Sequence, residues 1–443
     1  MDRPIRIAVV RIDFMALPPL IEVVPLNAPV RAEITVPGSK SITNRALILA
    51  ALACGRTELS GALWSEDTQV MVDCLKNLGF KIEVYPDPAE NSNRTIVVSG
   101  LGGKIPKSGT SEKPLELFVG NAGTAARFLA AFVCLSSGVY RLSGVPRMHE
   151  RPQAALFDAL RQLGYRIESS NNKLPALIHA TGPRSAECIV SIEESSQFAS
   201  ALLLCAEKAG WRVNVVGENA DESPYVNMTA EMVSSFATGP EVFQIEPDAS
   251  SASYFWGANW LLQKSAETGK SSISVASWMT SSSQIDARFP AVLEKFPREI
   301  SRQDQLGDSI MTAIVLTPFA EESKIFTNLG RLRLQECERV RALRTELTKC
   351  NAHVVEKGDT LTISPVLLHG AEIETYNDHR MAMCFATLAL KVPGIKIKNP
   401  ACVRKTFPNF FAKLAAPPPH GLGARILDAA TGRELDASKL HAE

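Results

Sequence analysis

Residues 57–84, TELSGALWSEDTQVMVDCLKNLGFKIEV, contain the pattern that decides the fold: a strand, a charged loop, an amphipathic helix ending at LG, and a second strand. Residues 140–169, YRLSGVPRMHERPQAALFDALRQLGYRIES, repeat this order closely, and their first strand again ends in LSG. Residues 325–357, IFTNLGRLRLQECERVRALRTELTKCNAHVVEK, are a looser third copy. Units of this kind bury their apolar faces by packing on one another, so the repeats predict an α/β chain.

Apolar segments between these units predict further helices. Each begins at a serine, asparagine or aspartate, the residue types that cap helix N-termini well. The predicted helices span residues 41–53, 121–135, 195–209, 248–262 and 378–390. The C-terminal segment, residues 413–443, has weak periodicity, and we expect it to form a loose tail.

The composition is that of a globular protein without a dominant charge. Of the 443 residues, 45% are hydrophobic and 21% charged, and 47 basic residues balance 47 acidic ones. A chain of this length predicts more than one domain. The zero net charge supplies no positive field to attract nucleic acid or an anionic membrane, and the sequence has no run of 18 apolar residues. We therefore expect neither a nucleic-acid nor a membrane partner.

The nine cysteines stand singly and form no CxxC pair. Cys54, Cys134, Cys205 and Cys384 fall in apolar runs, and we expect them in the core. This pattern favours a reducing compartment and argues against a metal site. Residues 1–14 carry arginine and aspartate among their apolar residues and lack a small-residue cleavage site, so a signal peptide is not expected. Together these features predict a cytoplasmic protein.

One predicted helix, residues 332–347, leaves its role open. At 100° per residue, Glu336 falls on the same stripe as the apolar Val340 and Leu343. A buried carboxylate costs roughly several kcal/mol unless it is paired or its pKa shifts. Either Glu336 pairs with Arg339 at i,i+3 on an otherwise solvated helix, or this face carries out chemistry.

Helix starts carry most of the charged candidates. Residues 36–46, VPGSKSITNRA, place Lys40 and Arg45 in the first turns after Gly38 and Ser39, and a helix N-terminus with a lysine is a ready anion site. Five more segments offer hydroxyls, an amide, a histidine or basic groups: GNAGTAARF (120–128), PRMHERP (146–152), SSQ (195–197), YNDHRMAM (376–383) and VRKTFPNF (403–410). Singly, each is compatible with an ordinary cap or surface arginine. If they converge, they predict a pocket for a small polyanion carrying phosphate and carboxylate.

These segments resemble the motifs of the 5-enolpyruvylshikimate-3-phosphate synthase family, in the family's order. The matching stretches, between residues 20 and 412, are GSKSITNRA, GNAGTAARF, GVPRMHERP, ESSQFASALL, DASSASYF, LGDSIMTA, QECERV, NDHRMAM and RKTFPNF. The resemblance implies an α/β (α+β) fold of two lobes, each built from three βαβαββ units, with the active site in the cleft between them. It places residues 39–246 in one lobe, and residues 1–38 and 247–443 in the other.

The resemblance also implies a reaction. The enolpyruvyl group of phosphoenolpyruvate (PEP) moves to the 5-hydroxyl of shikimate 3-phosphate, by addition and elimination through a tetrahedral intermediate, and phosphate is released. This step belongs to the shikimate pathway, which leads to chorismate and the aromatic amino acids. It needs neither a metal nor an organic cofactor, and we expect a monomer. The chemistry requires an acid and a base that exchange roles, and positive groups that hold PEP as its charge shifts.

The family's residue roles carry over to the matching positions. Glu336 is implied as the proton donor to the PEP methylene and Asp308 as the base for the hydroxyl. Lys40 and His379 complete the implied catalytic set. The residues implied to bind PEP are Lys40, Gly123, Arg147, Gln197, Arg339, Arg380 and Lys405. The residues implied to bind shikimate 3-phosphate are Lys40, Ser41, Arg45, Ser195, Ser196, Gln197 and Asp308.

Some positions that are expected to contact the acceptor, shikimate 3-phosphate, differ from the usual residues of the family. Gln335 stands where the family usually has a lysine, and Arg331 where it has an asparagine. In the S-x-P-Y motif, Glu222 takes the serine position and Ser223 follows one place late. Either Arg331 and Ser223 compensate for the missing groups, or the enzyme acts on a different acceptor alcohol.

Two further features refine the resemblance. Phe128 replaces the proline that often follows the arginine of GNAGTAxR, and glyphosate occupies the PEP site in this family, so we hypothesise that Phe128 changes glyphosate sensitivity. The branch that acts on UDP-N-acetylglucosamine carries a reactive cysteine in the loop that here reads GVPRMHERP, which argues against that branch. Retention of both Asp308 and Glu336 argues against an inactive anion-binding protein.

Overall fold

The computed structural model describes residues 17–217, 223–263, 270–278 and 283–442. Its strands are β1 (Leu20–Val23), β2 (Arg31–Ile34), β3 (Cys54–Leu63), β4 (Lys81–Pro86), β5 (Asn93–Leu101), β6 (Leu115–Phe118), β7 (Ser137–Ser143), β8 (Arg166–Glu168), β9 (Ala176–Thr181), β10 (Ala186–Ser191), β11 (Trp211–Val216), β12 (Val242–Gln244), β13 (Ser272–Val275), β14 (Glu299–Ser301), β15 (Lys324–Thr327), β16 (His353–Lys357), β17 (Thr360–Ser364), β18 (Glu372–Ile373), β19 (Lys396–Lys398) and β20 (Ile426–Asp428). Its α-helices are α1 (Lys40–Leu52), α2 (Glu66–Asn77), α3 (Gly123–Phe132), α4 (Pro146–Glu150), α5 (Ala154–Gln162), α6 (Ser196–Ala209), α7 (Ser223–Ala237), α8 (Ala249–Gln263), α9 (Phe289–Lys295), α10 (Ile310–Leu316), α11 (Arg339–Lys349), α12 (His379–Ala389) and α13 (Phe410–Ala415).

Two hydrophobic cores divide the chain into two lobes. One core is built from residues between 42 and 245, and the other from residues between 17 and 36 and between 252 and 442. We call residues 39–246 the first lobe and the remainder the second lobe. Burial of apolar surface drives the folding of each lobe around its own core. The lobe boundaries stay a prediction, and the division between the cores supports it.

Each lobe contains three sheets within the described residues. The sheets of the first lobe have the strand orders β12-β3-β5-β4, β6-β7-β9-β8 and β10-β11; those of the second lobe have the orders β18-β19-β1-β20, β14-β15-β17-β16 and β13-β2. Every four-stranded sheet begins with one parallel pair and continues with two antiparallel pairs. This shared pairing is the structural counterpart of the sequence repeat, and it confirms the predicted α/β fold.

The three sequence copies occupy equivalent places in this scheme. Residues 57–84 form β3, α2 and β4; residues 140–169 form β7, α4, α5 and β8; residues 325–357 form β15, α11 and β16. In each copy the two outer strands flank a third strand that returns between them. A helix on one face and an antiparallel return strand together cover the apolar side of each unit.

The chain crosses between the lobes at two adjacent segments. Gly38 and Pro247 form an isolated antiparallel bridge. Around it, the N–H of Ser39 donates to the carbonyl of Glu246 at 2.8 Å, and the N–H of Asp248 donates to the carbonyl of Pro37 at 2.8 Å. A Cβ atom on Gly38 would lie 2.0 Å from a main-chain oxygen, so only glycine fits this crossing. The paired segments place α1 and α8 side by side at the cleft.

The predicted apolar helices are confirmed as α1, α3, α6, α8 and α12. Ser195 caps α6 and Asp378 caps α12, because each side chain accepts a main-chain N–H from the first turn of its helix. Helix α3 instead has Ala122 at the cap position. The expectation that Asn121 caps it is therefore wrong. Helix α1 begins at Lys40, with Ser39 at the cap position, so the expectation that Ser41 caps it is also wrong.

The helix predicted over residues 332–347 is wrong at its N-terminal end. Residues 330–334 form a 3-10 helix, an irregular segment follows, and α11 begins only at Arg339. Glu338 is its N-cap, and its side chain accepts a main-chain N–H of the first turn. Glu336 therefore precedes the helix instead of lying on its apolar stripe.

The cysteines are all free thiols. Cys134, Cys205 and Cys384 are buried as expected, and burial raises the pKa of the Cys384 thiol to about 12. Cys54 is exposed at the start of β3, so its expected place in the core is wrong.

The C-terminal segment is packed against the second lobe, contrary to the loose tail expected for residues 413–443. Strand β20 pairs with β1. Leu422, Ile426 and Leu440 are fully buried in the second core. Three well-spaced apolar anchors and a strand pairing are sufficient to hold a segment whose sequence has little periodicity.

Candidate active site

A cleft lies between the two lobes. The N-terminal ends of α1, α3 and α6 reach it from the first lobe, and those of α8 and α12 from the second. Its polar and charged lining residues are Lys40, Ser41, Arg45, Thr124, Arg127, Arg151, Glu194, Ser195, Ser196, Gln197, Tyr225, Asp248, Ser250, Ser251, Arg302, Asp308, Arg331, Gln335, Glu336, Arg380 and Thr406. Helix N-termini and guanidinium groups both favour anions, so the cleft suits a ligand with several anionic groups.

Helix α1 contributes two cations that are held in different ways. Lys40, in its first turn, forms an ion pair with Asp67 at 3.1 Å. Arg45 is buried, and its guanidinium donates to Thr229 Oγ1 at 2.8 Å and to Ser200 Oγ at 2.9 Å. These bonds fix the orientation of Arg45, whereas the ammonium of Lys40 is held by a flexible stem.

The start of α3 brings two more arginines together. Arg127 donates to the carbonyls of Gly123 at 3.1 Å and Pro152 at 2.7 Å, and Arg151 donates to the carbonyl of Asn121 at 3.2 Å. A Cβ atom on Gly123 would lie 2.7 Å from a guanidinium nitrogen of each arginine, so any larger residue must displace at least one of them. Burial, and then repulsion from Arg151, holds the pKa of Arg127 well below its usual range.

The first turn of α6 faces the cleft with polar side chains. Ser195 Oγ accepts the N–H of Gln197 at 3.2 Å, and Gln197 Nε2 lies 3.4 Å from Thr124 Oγ1. Ser196 is buried at the same helix end. Two hydroxyls and an amide at the N-terminus of a helix form a binding surface for a phosphate group.

Glu336 lies inside a network of cations in the second lobe. Its carboxylate contacts Arg339 Nη2 at 2.8 Å and Lys405 Nζ at 3.3 Å. Asp378 orients Arg339 from behind, at 2.7 Å from Nε. Burial disfavours the charged form of Glu336, but Arg339 and Lys405 outweigh it and hold the pKa of this carboxyl well below its usual range.

Asp308 is surrounded by three arginines. Its carboxylate lies 3.1 Å from Arg380, 3.4 Å from Arg302 and 3.7 Å from Arg339. The amide of Gln335 lies 3.4 Å from the same carboxylate. Burial opposes ionisation of Asp308, but Arg380 and Arg339 outweigh it and hold its pKa below the usual range.

His379 is a buried neighbour of these groups. Neither ring nitrogen has a hydrogen-bond partner among the described residues. Burial and the adjacent Arg380 hold the pKa of His379 well below its usual range, so the imidazole is neutral. A neutral imidazole adds no charge to the site, but it keeps one N–H donor and one acceptor nitrogen.

Within the described residues, no helix is both long and apolar enough to cross a membrane. The same part of the chain contains no group of three or more histidine, cysteine, aspartate or glutamate side chains placed to hold a metal ion.

Comparison with known proteins adds independent information to this geometry. The sequence model of one family, described as EPSP synthase (3-phosphoshikimate 1-carboxyvinyltransferase), matches residues 25–239 and 237–414. The chain belongs to this family. EPSP synthase is the short form of 5-enolpyruvylshikimate-3-phosphate synthase, so the resemblance seen in the sequence motifs is confirmed.

Curated EPSP synthases match over most of the chain. The 3-phosphoshikimate 1-carboxyvinyltransferase of Trichormus variabilis is 38% identical over 431 residues, which cover 88% of this chain and 96% of the relative. The enzyme of the same name from Nostoc sp. is 38% identical over 426 residues, which cover 88% of this chain and 97% of the relative.

Solved structures share the two-lobed fold. EPSP synthase from Acinetobacter baumannii aligns with a TM-score of 0.72 and 20% identity, covering 92% of this chain and 99% of that one. The enolpyruvyl transferase NikO from Streptomyces tendae aligns with a TM-score of 0.65 and 15% identity, covering 94% and 99%. At these identities the likeness shows the fold alone.

Most of the site residues predicted from the EPSP synthase motifs lie at the cleft. Those that line it are Lys40, Ser41, Arg45, Ser195, Ser196, Gln197, Asp308, Glu336 and Arg380. Arg339 and Lys405 lie directly behind Glu336, His379 precedes Arg380, and Gly123 lies against two lining arginines.

Arg147 lies at the lobe interface, outside the lining of the cleft. Its guanidinium donates to the main-chain carbonyl of Gln335 at 3.0 Å and pairs with Glu150 at 2.6 Å. Arg151, four residues later, lines the cleft. The motif PRMHERP contains both arginines, and the sequence analysis named Arg147 alone for PEP.

The departures from the EPSP synthase pattern are placed as follows. Gln335 bridges Arg339 and Asp308 with its side-chain amide. Arg331 donates to main-chain carbonyls of the first lobe. Phe128 is fully buried, and the Arg45 guanidinium lies 5.3 Å from its ring centroid. Glu222 and the side chain of Ser223 lie outside the described residues, so the compensation predicted for Ser223 stays a prediction.

Several lining residues lie outside the predicted set, and two of them, Tyr225 and Arg302, differ in how they could have been found. Tyr225 belongs to the ESPY motif and is recognisable from it. Arg302 belongs to none of the motifs, and its contact with Asp308 becomes visible only in the folded chain.

Proposed function

We propose that the protein transfers the enolpyruvyl group of PEP to the 5-hydroxyl of shikimate 3-phosphate and releases phosphate. One observation carries this proposal: Arg339 contacts both Asp308 and Glu336, so the two carboxylates lie on either side of a single buried guanidinium. Addition and elimination need an acid and a base at neighbouring atoms of the substrate. They also need fixed positive charge beside them, which Arg339 supplies.

PEP is expected on the second lobe, beside the cations that pair with Asp308 and Glu336 in the ligand-free structure. We assign Arg339, Arg380 and Lys405 to it, together with Lys40, Gly123 and Gln197 from the facing lobe. We assign Arg151 to it in place of Arg147, because Arg151 lines the cleft and Arg147 is bonded to the opposite lobe. Guanidinium groups suit both the carboxylate and the phosphate of PEP because they bind such groups through paired N–H donors.

Binding of PEP prepares Glu336 to act as an acid. Before PEP binds, Arg339 and Lys405 keep Glu336 ionised. When the anionic groups of PEP bind to the same two cations, Arg339 and Lys405 stabilise the Glu336 carboxylate less strongly. The pKa of this carboxyl therefore rises. Glu336 can then carry the proton that is delivered to the methylene carbon of PEP.

The addition step follows from these positions. Asp308 takes the proton of the 5-hydroxyl, the hydroxyl oxygen forms a bond to C2 of PEP, and Glu336 protonates C3. In the elimination step the C2–O bond to phosphate breaks, Asp308 gives its proton to the leaving phosphate, and C3 returns a proton to Glu336 as the double bond forms again. Lys40 and the neutral His379 border this site, and we propose that they stabilise and shape it.

The acceptor is expected against the first lobe. Ser195, Ser196 and Gln197 offer hydroxyl and amide donors at the N-terminus of α6 for its phosphate. Ser41, Arg45 and Lys40 line the adjacent wall. Asp308 then reaches the reacting hydroxyl from the second lobe, so the site is complete only when the lobes meet.

Three finer expectations remain proposals. We propose a monomer in the cytoplasm, in line with the composition. We also propose that Phe128 changes glyphosate sensitivity, because α3 carries Gly123 and Thr124 at the cleft and Phe128 sets how this helix packs on Arg45. Replacing Phe128 with proline should change the inhibition constant of glyphosate; an unchanged constant would contradict the hypothesis.

The decisive experiment measures phosphate release from PEP with shikimate 3-phosphate as acceptor. The wild-type enzyme should release phosphate and form enolpyruvylshikimate 3-phosphate. Glu336→Gln should lower turnover by at least about 10²-fold while PEP binding, measured by calorimetry, changes little. The matched control is Glu294→Gln, at an exposed position of α9 in the same lobe. Turnover of Glu336→Gln near the wild-type rate would contradict the assignment.

A second candidate function is enolpyruvyl transfer to a different acceptor alcohol. The neutral Gln335 and the lobe-bridging Arg331, at positions where the family has lysine and asparagine, favour testing it. Phosphate release from PEP with another alcohol, and none with shikimate 3-phosphate, would establish this candidate and overturn the first.

A further inference from the structure

Arg302 is a buried cation at the wall of the cleft. It follows β14 directly, is 3% exposed, and its main-chain N–H donates to the carbonyl of Thr327 at 3.1 Å. Its guanidinium Nη2 lies 3.4 Å from Oδ1 of Asp308. Because the backbone of Arg302 is tied to the neighbouring β15, its side chain reaches Asp308 from a fixed base.

Two other arginines contact Asp308, and both also bond to further groups. Arg339 also pairs with Asp378 and Glu336, and Arg380 also donates to the hydroxyl of Tyr254 at 3.4 Å. In PEP binding, as proposed above, these two arginines turn towards the anionic substrate. A third cation beside Asp308 is therefore needed if this carboxylate is to stay ionised and in place while substrate binds.

The neutral side chain of Gln335 supplies no positive charge to Asp308, so the charge must come from another residue. Its amide Nε2 lies 3.4 Å from Oδ1 of Asp308, the same oxygen that Arg302 contacts. The family usually places a lysine at this position, so a positive charge is missing here. Arg331, a second departure from the family pattern, is basic but directs its guanidinium to carbonyls of the opposite lobe.

We propose that Arg302 is the positioning residue of the catalytic base, supplying beside Asp308 Oδ1 the positive charge that Gln335 lacks. The inference rests on the proposed function, in which Asp308 accepts the proton of the 5-hydroxyl. Arg302 holds Oδ1 of the carboxylate, whereas Oδ2 lies 3.1 Å from Arg380, the arginine assigned above to PEP. When Arg380 turns to PEP, Oδ2 becomes available to the substrate hydroxyl while Arg302 keeps Oδ1 in place. The charge that the family carries at position 335 is thus carried from position 302 in this chain.

The pH dependence of turnover follows from the charges around Asp308. Arg302 faces it from the end of β14, Arg339 from α11 and Arg380 from α12, and Glu336 opposes them. Removing Arg302 removes one group that lowers the pKa of Asp308, so this pKa rises. The acidic limb of the kcat profile should then move to higher pH, because a base must be ionised to act.

The test compares Arg302→Met and Arg302→Lys with the wild-type enzyme. Arg302→Met should lower kcat by about 10- to 100-fold, with the KM for PEP changed less than about twofold, and should move the acidic limb upward. Arg302→Lys, which keeps the charge, should recover most of the kcat. Arg288→Gln, at an exposed arginine of the same lobe, is the control and should match wild type.

A rescue variant separates charge from structure. Adding Gln335→Lys to Arg302→Met restores a cation next to the same oxygen, so kcat should recover by about tenfold and the acidic limb should return. Wild-type kcat in Arg302→Met, or a loss that neither Arg302→Lys nor Gln335→Lys recovers, would overturn the inference. Asp308→Asn is measured alongside: if it retains turnover, the proposed function itself fails, whereas an inactive Asp308→Asn with a fully active Arg302→Met refutes only the role of Arg302.

Discussion

The guanidinium of Arg331, in the second lobe, donates a hydrogen bond to the main-chain carbonyl of Glu194 in the first lobe. The same group also donates to the carbonyls of Ile192, at 3.3 Å, and Glu193. These three carbonyls immediately precede Ser195, the N-cap of α6. The contact therefore ties closure of the lobes to the segment that presents the proposed phosphate site.

Removal of this contact should weaken acceptor binding more than PEP binding. Charge-assisted bonds to carbonyls are worth roughly 1.5–3 kcal/mol, so Arg331→Ala should raise the KM for the acceptor by about tenfold or more. The KM for PEP should change less, because these bonds run to the segment before α6 and not to the cations around Glu336. Steady-state kinetics with each substrate varied in turn measures both constants.

The control for Arg331 is a surface arginine of the same lobe. Arg344 pairs with Glu356 at 3.0 Å and has a side chain 43% exposed. Arg344→Ala should leave both KM values unchanged. Equal effects of Arg331→Ala on the two substrates would show that the contact does not act through α6.

Replacement of Gly123 should damage the PEP side of the site. Its Cβ would lie 2.7 Å from guanidinium nitrogens of both Arg127 and Arg151, so one of them must move. Arg127 is buried, and both of its terminal guanidinium nitrogens donate to main-chain carbonyls, so we expect Arg151 to be the one displaced. Gly123→Ala should therefore raise the KM for PEP by about tenfold, the effect of losing one charge-assisted bond.

The matched control for Gly123 is a buried glycine inside a helix of the second lobe. A Cβ atom on Gly257 of α8 would meet side-chain methyl groups of Leu316 and Thr312 at 3.0 Å, and no charged group of the cleft is among its nearest neighbours. Gly257→Ala should alter stability without changing the KM for PEP. An unchanged KM in Gly123→Ala would contradict the close approach of the two arginines.

The sequence predicted those features that depend on local pattern. Helix α12 begins where Asp378 can cap it, and α6 where Ser195 can, because capping involves only neighbouring residues. The repeated strand–helix–strand unit likewise follows from hydrophobic periodicity. The ordered motifs then indicated the family and most of the cleft.

Features that depend on contacts between distant segments were not predictable. Helical periodicity placed Glu336 inside a helix, whereas the side chain of Glu338 caps α11 and starts it later. Arg147 and Arg151 share one motif, and only the approach of the second lobe decides which of them faces the cleft. Arg302 meets Asp308 because β14 pairs with β15, which no local pattern reveals.

Stability should depend on pH through Asp308. The pKa of Asp308 is lower in the folded protein than in the unfolded chain, where it is about 4. Its ion pairs therefore stabilise the native state at pH values above the unfolded pKa. This stabilisation is lost as the pH falls from the unfolded pKa towards the folded pKa. Asp308→Asn should be less stable than wild type at pH 7, and the difference should narrow as pH falls from about 6 to about 3. Urea unfolding at several pH values measures it. A difference that stays constant over this range would contradict the lowered pKa.

The interface near the lobe crossing holds a buried ion pair whose loss should destabilise the protein. Glu90 of the first lobe lies 2.7 Å from Lys413 of the second, is 4% exposed, and also accepts from Thr35 and Asn409 at 2.6 Å each. Lys413→Met leaves the carboxylate buried without its counter-ion, so the free energy of unfolding should fall by about 3 kcal/mol. Adding Glu90→Gln removes the stranded charge and should restore most of this loss, because Thr35 and Asn409 can still bond to the amide. Urea unfolding of the single and double variants measures both changes, and a double variant no more stable than Lys413→Met would show that the charge of Glu90 is not what the lysine compensates.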